Sequence, residues 1–237
     1  VRTVPMQVTS INPMAGSPGT RVTIRGVNLF DPGTRVFFNG SDLTHQGIIE
    51  EIDDVHIVVL VPSGGPSHLR ALPINSKMRS LVAIDYRGVT SGPVTVKKGS
   101  ETIASAQPFV VSHLEVFDAY LNQGLEAYPM VQGKDTLLQL RVRVAPGPQT
   151  PLPGLSDATC AVLPSDGSGG WQVEQPRVPP VALAATANVT RMDQAVNFFL
   201  DGPRVTSTAY RFDARLHHNG VEVAGFRTDA DSAPFTP

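Results

Sequence analysis

The sequence predicts an all-β chain built as two tandem immunoglobulin-like β-sandwiches. Three observations lead there. Apolar residues alternate with period two along most of the 237 residues, and helical spacing of three and four is never sustained over a helix length. Gly and Pro, 21 of each, are scattered as turn punctuation rather than gathered in one tract. The length suits two modest domains at about 100–150 residues each.

The candidate strands of the first half are 7–11, 21–27, 35–39, 56–61, 81–86, 93–98 and 108–111. The pattern restarts after Ser112 with 114–121, 136–145, 158–163, 171–178, 195–200, 207–217 and 221–227. Each half thus supplies about seven strands, the number such a sandwich needs. The expected domains are 1–112, with an insertion at about 63–91, and 113–237. In the second half Tyr210, Phe212, Ala214 and Leu216 form an apolar face, and Asn219-Gly220 supplies the residues of a type I′ hairpin turn before the next strand. The four prolines of 146–154 mark a surface connection. Almost no linker separates Val111 from Leu114, so the halves are expected to meet at a fixed angle.

Composition narrows the partners. A net charge of −2, with 17% charged residues, leaves little counterion release for nucleic acid. No stretch approaches the roughly 20 apolar residues of a spanning helix. The single Cys160 permits neither an internal disulfide nor a cysteine-based zinc site, and alternating with Ala158 and Val162 it reads as a core filler. The chain begins at Val1 without a basic-then-apolar leader, as a processed export product or a trimmed chain would. Lysine occurs only at 77, 97, 98 and 134, and the preference for arginine suggests GC-rich bacterial coding.

Chemistry-bearing groups do not assemble in the sequence. Ser165-Asp166-Gly167-Ser168-Gly169-Gly170 transposes the order around a serine-protease nucleophile and reads as a hairpin loop. Gly65-Pro66-Ser67-His68 lacks the strand-turn-helix setting of a nucleophile elbow. His217 and His218 are adjacent on a strand, point to opposite faces, and read as exposed imidazoles at a hairpin end. Asp229 and Asp231, with Asp201 or Asp193, come without a calcium loop. No catalytic residue, cofactor or metal ligand is therefore expected. Asn39-Gly40-Ser41 and Asn188-Val189-Thr190 are acceptor sequons that matter only in an exported eukaryotic protein.

The segment from Ile11-Asn12-Pro13 through Gly16, Gly19-Thr20, Val22-Thr23-Ile24 and Gly26-Val27-Asn28-Leu29-Phe30 resembles the opening of an IPT/TIG domain. Val36-Phe37-Phe38-Asn39-Gly40, Ile57 to Pro62, Gly92-Pro93-Val94-Thr95-Val96 and Phe109 continue the resemblance over about residues 6–112. Val131 to Thr136 is similar to strand openings in Ig-like modules of bacterial surface proteins. The resemblance implies a non-catalytic β-sandwich module, secreted or at a bacterial cell surface, that acts in adhesion, spacing or assembly through a protein partner or self-association. The alternative it leaves open is a carbohydrate-binding accessory module of a secreted polysaccharide-active enzyme, with Trp171 as the sugar-stacking residue; otherwise Trp171 reads as a core or edge-packing tryptophan. The departure from the family pattern is the insertion 63–91. Its apolar run 81–86, flanked by Arg79 and Arg87, is expected to form an added strand or hairpin, either a structural embellishment or an exposed edge for docking, and the docking reading makes Arg79, Leu81, Tyr86 and Arg87 the candidate partner-binding residues.

Overall fold

A computed structural model describes residues 4–39, 45–73, 77–78, 80–123, 129–144, 155, 157–174 and 195–237. The first half holds β1 (Gln7–Asn12), β2 (Ala15–Gly16), β3 (Arg21–Val27), β4 (Arg35–Phe37), β5 (Ile48–Ile52), β6 (His56–Leu60), β7 (His68–Ala71), β8 (Leu81–Asp85), β9 (Gly92–Lys98) and β10 (Glu101–Val111). Eight of these build a sandwich from two four-stranded sheets, ordered β1-β3-β6-β5 and β2-β10-β9-β4. The alternation that makes them strands also fills the interior. Val22, Ile24, Val36, Ile57, Val59 and Val96 are wholly buried, and Arg21 and Arg25 point outward. Phe38, just past β4, and Phe109 of β10, in the same sheet, meet edge to face at 5.4 Å in the core.

The second half holds β11 (Leu114–Asn122), β12 (Met130–Val131), β13 (Thr136–Val144), β14 (Asp157–Pro164), β15 (Trp171–Glu174), β16 (Ala195–Leu200), β17 (Tyr210–His218), β18 (Val221–Thr228) and β19 (Phe235–Thr236). A three-stranded sheet, β11-β13-β16, packs over a six-stranded one. β12 and β19 pair in parallel at the margin. Asn219 and Gly220 both have positive φ, 49° and 77°, as the expected type I′ turn between β17 and β18 requires.

The six-stranded sheet is ordered β15-β14-β17-β18-β8-β7, so its last two strands come from the N-terminal half. Ala224, Gly225, Phe226, Arg227 and Thr228 of β18 pair antiparallel with Asp85, Ile84, Ala83, Val82 and Leu81 of β8. β7 pairs with the other side of β8. The insertion is thus a hairpin seated in the other half's sheet, where Leu72, Met78, Leu81 and Ala83 join the C-terminal core. This corrects the expectation of an exposed edge: β8 lies between two strands, and β7 is the edge.

Further differences concern β10, β5 and His218. Residues 108–111 are only the end of β10, whose pairing with β9 shifts register between Ala104 and Pro108. β5 was not expected, because a register shift between Ile49 and Glu51 breaks the alternation of its IIEEI sequence. His218 is not an exposed imidazole but is buried to 2%. The proline-rich stretch 146–154 and the sequon at 188–190 lie outside the described residues, as do Arg79 and Asp193.

Candidate interaction site at the junction of the two sandwiches

The junction gathers polar groups that the sequence separates widely. Along β8, Leu81, Ala83 and Asp85 share one face, so the alternation that buries two apolar side chains also buries a carboxylate, with no exposed surface left on Asp85. In β11, Glu115 lies between Leu114 and Val116 and is 2% exposed. Buried charges need partners. Arg70 of β7 donates to Asp85 at 3.3 Å and to the Val116 carbonyl at 2.7 Å. Arg87 donates to Glu115 at 2.7 Å and approaches Asp85 at 3.6 Å, and Arg143 of β13 pairs with the other Glu115 oxygen. Two carboxylates and three guanidiniums therefore tie the hairpin to β11 and β13.

A second network lies on the outer side of the same sheet. The Tyr86 hydroxyl donates to Glu222, which also accepts from Arg215 at 3.0 Å. Arg215 is held on its other side by Asp213 at 2.8 Å. Burial, reinforced by the Glu222 carboxylate, pushes the Tyr86 phenol up to about 12.

The third contact joins the first turn of the N-terminal sandwich to the β17–β18 turn. His218 Nδ1–H donates to the Pro18 carbonyl at 2.9 Å, and the Asn219 amide donates to the Gly19 carbonyl at 3.0 Å. Gly19 has φ +79°, and any Cβ there would lie 2.1 Å from the His218 carbonyl oxygen. The glycine of the Gly-Thr motif is thus required by the approach of the other half as well as by its own turn. Between the two docks, His113 donates from Nδ1 to the Tyr86 carbonyl at 3.0 Å. Burial lowers the pKa of both His113 and His218, against the opposing effect of their carbonyl hydrogen bonds.

These positions redistribute the candidate residues. Leu81 and Tyr86 are 1% and 3% exposed and are unavailable to a docking partner. Arg87 is already engaged by Glu115, and Arg79 lies outside the described residues. Trp171 is half-buried, packed edge to face on Tyr210 at 5.8 Å, rather than standing out as a platform. Asp229 pairs with Arg227 and Asp231 with Arg211, so the two carboxylates serve separate partners. Cys160 is wholly buried, and its thiol is pushed up to about 12 by that burial. The residues that the sequence reading missed are Glu115 and Asp85, while His218 was read as exposed. Asp85 carried a signal: an acid continuing the inward alternation of Leu81 and Ala83 predicts a buried charge with a cation beside it.

Comparison with known proteins supports the first half most directly. No curated protein matches the chain. Among solved structures, a structural genomics protein of unknown function from Bacteroides thetaiotaomicron is 11% identical, with a TM-score of 0.34, and covers 93% of this chain. This chain spans about half of that protein, 48%. A crystal structure of domains CD of another protein is 12% identical with a TM-score of 0.28, covering 97% of this chain and 98% of its own. Both scores are below 0.5, and neither likeness informs function. Residues 6–96 match the IPT/TIG domain family, a stretch that runs through the hairpin lent to the other half. The N-terminal half of the chain therefore carries an IPT/TIG domain, an immunoglobulin-like β-sandwich.

Proposed function

We propose that the chain is a non-catalytic, stiff two-sandwich module that spaces or assembles protein partners outside a bacterial cell or at its surface. The observation that supports this reading most is the ladder between β8 and β18. Tandem sandwiches joined by one short linker can still bend about it. Here a second crossing, zipped over five residue pairs and fastened by Glu115, Arg87 and Arg70, restrains that bend. The docked turn at Pro18-Gly19 adds a third restraint. A module of this kind holds binding surfaces at a fixed separation, a useful property in a spacer or assembly subunit. Its contacts would come from exposed loops and sheet edges, and the outermost strand of the six-stranded sheet, β7 with its exposed Leu69, is one such edge.

The reading is tested by spin-labelling exposed Ser100 and Ser168 as cysteines, one on each half, with Cys160 left buried. Pulsed dipolar spectroscopy should give one narrow distance distribution. A broad distribution would show independent halves and defeat the spacer reading.

A further inference from the structure

Like charges placed directly opposite one another on a sheet repel. Arg35 of β4 and Lys97 of β9 are such a pair. Their strand neighbours Val36 and Val96 are wholly buried, so Arg35 and Lys97 share the outer face. Most other arginines described have an acid beside them: Arg21 has Glu50, Arg141 has Asp118 and Arg211 has Asp231. Among the described residues Arg35 and Lys97 form no ion pair. Lys98 is turned away, its ammonium donating to the Asn28 carbonyl at 3.0 Å and to Asn28 Oδ1 at 2.6 Å.

The pair lines an open pocket of about 550 Å³ together with Asp31, Phe37 and Gln46. Phe37, 5% exposed, contributes an apolar wall, and its backbone bridges to Gln46. Asp31 is the acid of the lining, and one of its oxygens accepts the Gly33 N–H at 2.8 Å. It offsets one of the two cations, and the described lining keeps a net positive charge. A guanidinium presents paired donors that match a carboxylate, an ammonium adds a compact charge, and the Gln46 amide is a further donor.

We infer that this pocket on the outer face of the IPT/TIG domain binds carboxylate side chains of an acidic peptide segment. The choice of a peptide rests on the protein-partner reading above; the attraction for an oxyanion rests on the residues alone.

The test is a titration of the full ¹⁵N-labelled chain with hexaglutamate, with sodium sulfate, and with sodium chloride at matched ionic strength. Hexaglutamate should shift the amides of Arg35, Phe37, Gln46 and Lys97 saturably, more weakly as salt rises. The shifts should vanish in the double variant Arg35→Gln, Lys97→Gln, whose remaining spectrum reports an intact fold. Lys97→Glu should also lose binding and raise the Tm of the unliganded protein, because it turns repulsion into attraction. Shifts absent, located elsewhere or surviving the double variant would overturn the site. Shifts from sulfate without any from hexaglutamate would overturn the peptide assignment in favour of a small inorganic oxyanion. An unchanged or lowered Tm for Lys97→Glu would overturn the repulsion on which the site rests. None of these results bears on the distance between the two halves, so failure here is separable from failure of the spacer reading.

Discussion

Ala83 of the N-terminal half lies directly opposite Phe226 of the C-terminal half in one antiparallel ladder, and both side chains are fully buried. The core of the second sandwich therefore depends on a strand that lies more than a hundred residues of chain before its ladder partner β18. Replacing Ala83 with Arg would force a charge into that core. The expected cost exceeds about 3 kcal/mol. Denaturant melts followed by Trp171 fluorescence should show the loss, since Trp171 packs on that same core; a stability change under about 1 kcal/mol would mean that β8 is not seated there.

Gly19→Ala tests the dock between the first turn and the β17–β18 turn. The left-handed backbone alone should cost about 1–2 kcal/mol, and the 2.1 Å approach to the His218 carbonyl adds to it. A neutral Gly19→Ala variant in the same melts would contradict the contact.

Acid should weaken the junction. His113 and His218 are held neutral by burial, their pKa values below the ordinary 6.5. The unfolded chain therefore binds more protons than the folded one once pH drops below about 6.5. Stability contributed by these histidines is present above that value and is lost as pH falls toward the depressed folded values. Melts at pH 7.5 and 5.5 should differ more in the native chain than in the double variant His113→Gln, His218→Gln. An equal difference in both would assign the acid sensitivity to other groups.

Much of the fold was legible because strand positions follow local alternation. The expected strands 21–27 and 195–200 coincide with β3 and β16. The partner of a strand is a different matter. Leu81 to Tyr86 has the same alternation whether it pairs with β9 or with β18, and only the distant ladder decides. Hence the run was recognised as a strand and misplaced as an edge. The site was less legible still: Glu115 is one acid between two apolar residues, and its three arginines come from positions 70, 87 and 143. His218 looked exposed because nothing local to a hairpin tip announces the Pro18 carbonyl that covers it.

Removing the Glu115 carboxylate should loosen the hairpin without dismantling either core. Arg87 and Arg143 are both more than 40% exposed at their side chains, so water takes up part of the loss, and Glu115→Ala is expected to cost on the order of 2 kcal/mol rather than the 3–5 of a fully buried pair. Melts of Glu115→Ala check the size. A cost near zero would mean that the network is ornamental to the junction.

The most direct test of the joined architecture is residue-resolved amide hydrogen exchange on the intact protein under native conditions. If the hairpin is an integral part of the C-terminal sheet, the amides of Val82 to Ile84 in β8 will be protected to the same degree as those of β17 and β18, and will lose protection together with them as denaturant rises. Rapid exchange in β8 while β17 and β18 stay protected would contradict the arrangement, showing a hairpin that only rests against a sandwich complete without it.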